Sequence, residues 1–334
     1  MRIRNVAILG STGLALVCVP YTVENYPLHV MIMICLYVIL TSSFNLLAGY
    51  TGQLSMAHAA FFGIGGYASA IMVMRMGMSF WVALPAAAAL TGLLGILLGY
   101  PGLRMTGHYF VIVTLAFGET IRLIFNNEVE LTGGPDGLVN IPSPEPVSLQ
   151  NLTIDFTSKV AYYYLTLATV SLILFVIYMM IRSRIGRILV SIREDERLAQ
   201  CLGVDPMKYK IFAFTVSGIF AGIAGSLYAH YIRAISPDAF SFLTMMNILV
   251  MAVVGGLGTI LGPIIGSIVM TIVSEYLRVF SELRWVVYGL ALIMIVMVMP
   301  EGIVGRLRHL DMSRTRSRRR SPLARIRDPQ ADKS

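Results

Sequence analysis

Long apolar runs separated by short polar breaks make up most of the chain, and one internal break is both long and strongly charged. The runs are Val6–Tyr21, Leu28–Leu47, Leu54–Met74, Phe80–Tyr100, Tyr109–Phe125, Ala161–Ile181, Ile211–Tyr231, Phe242–Val254, Thr259–Phe280 and Trp285–Met299. Crossing the hydrocarbon core takes about 20 apolar residues, fewer for a short or re-entrant helix. The pattern therefore predicts an all-α integral membrane protein with about ten transmembrane helices. Arg2 and Arg4 ahead of the first run resemble a secretory signal, but no small-x-small cleavage site follows, so that run is expected to stay as a helix.

Charge orients the spans. Residues Asn126–Val160 hold five acids (Glu128, Glu130, Asp136, Glu145, Asp155) and one base, Lys159. The stretch Arg182–Lys210 holds seven basic and four acidic residues, and the tail Glu301–Ser334 carries ten of the 26 basic residues. Cytoplasmic loops collect Lys and Arg, which places both termini and the 182–210 loop inside and the 126–160 loop outside. An even number of crossings must then separate loop from tail. Met245–Tyr276 is long enough to pass for one span, which gives an odd number. A break at Gly255-Gly256-Leu257-Gly258 restores parity, and Gly-rich sequence is where helices break. The expected organisation is a membrane domain over 1–300 and a basic cytoplasmic tail over 301–334, too poor in large apolar residues to fold alone.

Composition agrees. Apolar residues make up 56% and charged residues 13%, against about 25% charged in soluble domains. The net charge of +8 belongs mostly to tail and loops, which suits anionic lipid better than nucleic acid. Cys18, Cys35 and Cys201 are odd in number and scattered, so no disulfide is expected, and no His/Cys set suggests a metal.

Two Gly-rich, partly polar interruptions lie in opposite halves of the chain. One runs through Gly52, Gln53, Ser55 and His58 toward Gly63 and Gly66. The other is Gly255, Gly256 and Gly258. Broken helices in both halves point to a transport pathway, because freed backbone groups need a cavity or packed protein around them. His58 also suits a satisfied buried position. Glu119 with Arg122, and Glu275 with Arg278, are spaced to form intramembrane ion pairs on one helix face. Within the charged loop, Ile192–Gly203 reads as one short amphipathic helix ending at Gly203, a docking surface for a soluble partner. Outside, Thr132, Gly133, Gly134, Asp136 and Gly137 make a turn, with Asp136 suited to cap local N–H groups.

No G-x-x-x-x-G-K-[ST] occurs, nor H-E-x-x-H, nor G-x-S-x-G, and no proposed span contains an Asp. No catalytic residue is assigned. ATP use would have to come from a partner.

Six strings together resemble the LivM-type permease subunits of bacterial ABC importers for branched-chain amino acids. They are FNLLAGYTGQLSMAHAAFFGIGGYASA, VTLAFGETIRLIFNN, TGGPDGL, GRILVSIREDERLAQCLGVD, ISPDAFSF and VVGGLGTILGPIIGS, in the family's order. The resemblance implies a type II importer-like permease in the bacterial inner membrane. Its partners would be a second homologous permease, two ATP-binding subunits and a periplasmic substrate-binding protein. It would hold no cofactor of its own. It also implies that Arg193, Glu194, Asp195, Glu196, Ala199 and Gly203 belong to the ATPase-coupling loop. Glu196, Ala199 and Gly203 fit that loop's EAA-type pattern loosely, since the Ala does not adjoin the Glu and no Leu-Pro follows. The implied cargo is leucine, isoleucine or valine, with urea, short amides or aromatic acids as alternatives. A secondary carrier is disfavoured because Glu119 and Glu275, the only acids in the proposed spans, each have a nearby Arg.

Overall fold

A computed structural model describes residues 25–277 apart from 106, 150 and 151, together with 20, 289–290, 297 and 302–305. The expected spans Val6–Tyr21 and Trp285–Met299, the end of Thr259–Phe280, Arg278 and the tail beyond 305 lie outside the described residues. The described part is built almost wholly of helices: α1 (Asn25–Thr51), α2 (His58–Met76), α3 (Phe80–Gly102), α4 (His108–Asn127), the single turn α5 (Val129–Thr132), α6 (Lys159–Arg182), α7 (Arg184–Glu194), α8 (Glu196–Cys201), α9 (Pro206–Ile232), α10 (Phe242–Gly255) and α11 (Leu261–Tyr276). Seven apolar stretches are long enough to cross a membrane, and α11 is a shorter apolar helix. The eight expected spans between 28 and 280 each fall on one of these helices.

Helix α9 is the axis of the bundle and packs on α2, α3 and α1. Its small residues make that possible. A Cβ on Gly225 would lie 1.8 Å from the Phe62 carbonyl oxygen, and one on Gly65 would lie 2.2 Å from the Gly222 carbonyl oxygen. The α2 and α9 backbones therefore touch directly, the close approach that small residues permit between membrane helices. Gly262 and Gly266 serve the same purpose in the α10–α11 hairpin, where a Cβ on Gly266 would meet the Met251 carbonyl at 1.9 Å. Leu93, Leu97, Ile112, Leu172, Phe175 and Met179 on α3, α4 and α6 are exposed, as lipid-facing side chains must be.

Four short strands lie outside the helices. Leu138–Val139 (β1) pairs antiparallel with Ala234–Ile235 (β4), and Val147–Leu149 (β2) pairs with Leu152–Ile154 (β3). The TGGPDGL turn is locked to this ribbon: a Cβ on Gly137, whose φ is +72°, would lie 1.9 Å from the Ile235 carbonyl oxygen. Asp136 is exposed and caps none of the neighbouring N–H groups among the described residues, contrary to expectation. Thr132 holds the turn instead. Its hydroxyl lies 2.6 Å from both the Phe125 and Glu128 carbonyls and accepts from the Gly134 N–H at 3.4 Å. The threonine hydroxyl can donate to the carbonyls of the preceding turn, which an ionised carboxylate cannot do.

Asp205 caps α9 by accepting from the Met207 N–H at 3.1 Å, with Lys208 Nζ 3.2 Å from its carboxylate. The Lys208 side chain, then the local N–H groups, hold the Asp205 carboxyl below its ordinary value. A carboxyl lowered on folding adds stability at neutral pH that is lost as pH falls through the lowered value. Thermal unfolding in detergent should therefore show an acid-side decline that Asp205→Asn reduces, since Asn keeps the cap without titrating.

Candidate functional site

One end of the bundle gathers three segments that are far apart in sequence: the charged loop, the break between α1 and α2, and the break between α10 and α11. The loop differs from the single helix expected over Ile192–Gly203. Helix α7 ends at Glu194, Asp195 turns extended (φ −155°, ψ 109°), and α8 starts at Glu196. The cause is Asp195 itself, whose carboxylate accepts from the N–H groups of Arg197 (2.9 Å) and Leu198 (3.0 Å). A side chain that bonds the backbone ahead of it starts a new helix and ends the old one. Gly203 then terminates the loop helices with φ +82°, as expected. We expect Asp195→Ala to cost α8 about 1 kcal/mol of local stability. Faster amide exchange over 196–201, restored by Asp195→Asn, would register it.

Ala199 is buried, while Leu198 and Leu202 are 63% and 84% exposed. Glu194, Arg197 and Gln200 are exposed beside them. The α7–α8 unit thus shows an apolar tip ringed by charge on its outer side. Its inner side is anchored by Lys210 Nζ, 2.7 Å from Glu196 Oε2, with only 5% of the lysine side chain exposed. Glu196, expected to face a partner, is thus engaged within the chain.

The first break is non-helical from Gly52 (φ +73°) to Ala57. Gln53 is half-buried and Leu54 exposed. The Met56 N–H donates to Thr114 Oγ1 at 2.9 Å, and the Ala57 N–H to Ser55 Oγ at 3.2 Å. Ser55 and His58 are fully buried. The His58 ring meets Phe44 and Phe61 with centroids 5.3 and 6.4 Å apart. Neither His58 nitrogen has a hydrogen-bond partner in the described chain. Gly63 and Gly66 lie further along α2, closed over by Phe240 and by Ile235.

The second break, Gly256–Ile260, turns α10 into α11, with Gly256 and Gly258 at positive φ. A Cβ on Gly255 would lie 1.9 Å from the Gly262 carbonyl oxygen, so the hairpin closes backbone on backbone. Asn45, which sequence reasoning passed over, ties α1 to the second break. Its side chain accepts from the Gly258 N–H and donates to the Thr259 carbonyl, both at 2.8 Å. The signal for it was an amide inside an apolar span, which membrane helices use as interhelical glue. Arg193 joins them to the loop, with Nη1 donating to the Gly49 carbonyl at 2.6 Å.

At the other end of the bundle, Arg122 pairs with Glu119 at 2.5 Å and also approaches Asp238 at 3.4 Å, a third member that spacing did not suggest. Glu275 accepts from the Tyr26 hydroxyl. Among the described residues no group of His, Cys, Asp and Glu could hold a metal ion.

The chain matches, over residues 26–299, the family profile described as the branched-chain amino acid transport system permease component. It is 33% identical over 303 residues to the high-affinity branched-chain amino acid transport system permease protein LivM of Escherichia coli strain K12, covering 85% of this chain and 71% of that relative. It is 27% identical to the corresponding LivH protein of Salmonella typhimurium, covering 81% and 91%. A probable LivM from Methanocaldococcus jannaschii is 25% identical, covering 65% and 67%. No solved structure matches.

Proposed function

The chain belongs to the permease family of branched-chain amino acid transport systems, and on that premise we propose that it moves leucine, isoleucine and valine inward through the bacterial inner membrane. It works as one permease of an ATP-driven importer, beside a second, homologous permease. Two separate ATPase subunits hydrolyse ATP, and a periplasmic protein delivers the substrate. This chain holds no cofactor and makes no covalent bond. Both termini are cytoplasmic, the 126–160 loop faces the periplasm, and the basic tail lies against anionic lipid.

The observation that carries the reading is the α7–α8 unit. It is charged, it stands at the bundle end away from the acidic loop, and it carries exposed Leu198 and Leu202. An apolar tip ringed by Glu194, Arg197 and Gln200 suits a cleft in a soluble ATPase, whose closure would shift it. Thr132–Gly137 contributes to the periplasmic mouth, and the two Gly breaks rearrange as substrate passes.

Deleting the gene should abolish ATP-dependent uptake of labelled leucine, with unlabelled valine competing in the parent cells and urea and benzoate not. Competition by urea or benzoate would move the substrate to that class. Uptake that survives ATP depletion and follows an ion gradient would overturn the importer reading.

A further inference from the structure

Arg193 is the one side chain of the α7–α8 unit that reaches both glycine breaks. Its Nη1 donates to the Gly49 carbonyl at 2.6 Å. Gly49 lies in the last turn of α1, where carbonyls have no partner within the helix and a cation is favoured by the helix dipole. The stem of Arg193 runs along Gly52: a Cβ there would sit 3.3 Å from Arg193 Cγ. The guanidinium also lies against Gly258, where a Cβ would sit 2.6 Å from Nη1 and 3.0 Å from the Gly49 oxygen. Asn45 completes the junction from α1 through its two bonds to Gly258 and Thr259.

We propose that Arg193 is the positioning residue that carries movement of the α7–α8 unit into the two breaks, by holding the end of α1 and the α10–α11 turn to the same guanidinium. This rests on the reading above that an ATPase moves that unit. A rigid short helix displaces whatever is bonded to its end. Here the guanidinium is bonded to the C-terminal turn of α1 and packs against the turn of a hairpin that Asn45 ties to the same helix, so one displacement shifts both. A solvated loop arginine would leave the orphan Gly49 carbonyl to water and would couple nothing.

The test uses the whole importer in proteoliposomes, with Cys18, Cys35 and Cys201 replaced by alanine and one cysteine placed at exposed Leu54 in the first break. The readouts are leucine uptake, co-purification of the ATPase subunits, and the ATP-dependent change in thiol labelling at position 54. Arg193→Ala should keep assembly, abolish the ATP-dependent change in labelling and lower uptake about tenfold or more, within the usual range of coupling between sites. Arg193→Lys should restore part of both, because an ammonium can still donate to the Gly49 carbonyl. A labelling response in Arg193→Ala equal to that of the parent would overturn the proposal. So would equal losses of assembly, uptake and thermal stability in the Ala and Lys variants, which mark a purely structural role. A parent importer that shows no ATP-dependent uptake would overturn the transport reading itself, which is a different result from either.

Discussion

Replacing Gly225 by alanine should break the contact between α2 and α9, whereas the same change at Gly118 should be tolerated. A Cβ at 225 would lie 1.8 Å from the Phe62 carbonyl oxygen and 2.9 Å from the Gly66 nitrogen. Both obstacles are backbone, so no rotamer change relieves them and the helices must move apart. Overpacking a close-packed interior costs about 1–3 kcal/mol, occasionally more. Here the upper end is expected, because separation also loosens Gly65 against Gly222 along the same crossing. A loss of about 3 kcal/mol shifts the folding equilibrium more than a hundredfold. At Gly118 the only neighbour within 4 Å is the Met56 carbonyl oxygen, at an ordinary 3.5 Å. There the helix preference of alanine over glycine, about 1 kcal/mol, is free to act. The two substitutions are chemically identical and should have opposite signs. Thermal unfolding of the solubilised protein measures both. A Gly225→Ala protein as stable as the parent would show that α2 and α9 do not cross as described.

The long spans were legible because apolar runs of spanning length report themselves, and the parity of charged loops correctly demanded a break near Gly255. What the pattern hid was that the two breaks come together. Gly52–Ala57 and Gly256–Ile260 are far apart in sequence, and nothing in their composition says that they meet. They meet because α1 runs down beside the α10–α11 hairpin and offers Asn45 and Gly49 at its end. The charged loop was legible as a unit but not as two helices. Its periodicity continues through Asp195, and only the carboxylate's bonds to the following N–H groups interrupt it. Asp238 was invisible as a partner of Arg122 because the two are 116 residues apart.

Within the α7–α8 unit, Glu196→Ala should cost more stability than Lys210→Met, although both break one ion pair. The pair is asymmetric: 5% of the Lys210 side chain is exposed, against 40% of the Glu196 side chain. Removing the glutamate strands an ammonium in the bundle. Removing one partner of a fully buried pair costs about 3–5 kcal/mol, and water reaching Glu196 lowers that here to roughly 1–3 kcal/mol. Removing the lysine leaves a carboxylate that water can reach, and methionine fills the space with apolar atoms, so stability should change little. The double variant should recover most of what Glu196→Ala loses, since no stranded charge remains. Equal losses in the two single variants would show that water reaches Lys210 as easily as Glu196. Transport should rank them differently. Either substitution cuts the tie between α8 and the start of α9, so Lys210→Met should remain folded yet import more slowly, with α8 no longer held in register. A Lys210→Met importer with parental uptake would show that α8 needs no anchor on α9, and that the Asp195 cap and the Arg193 contact hold the unit by themselves.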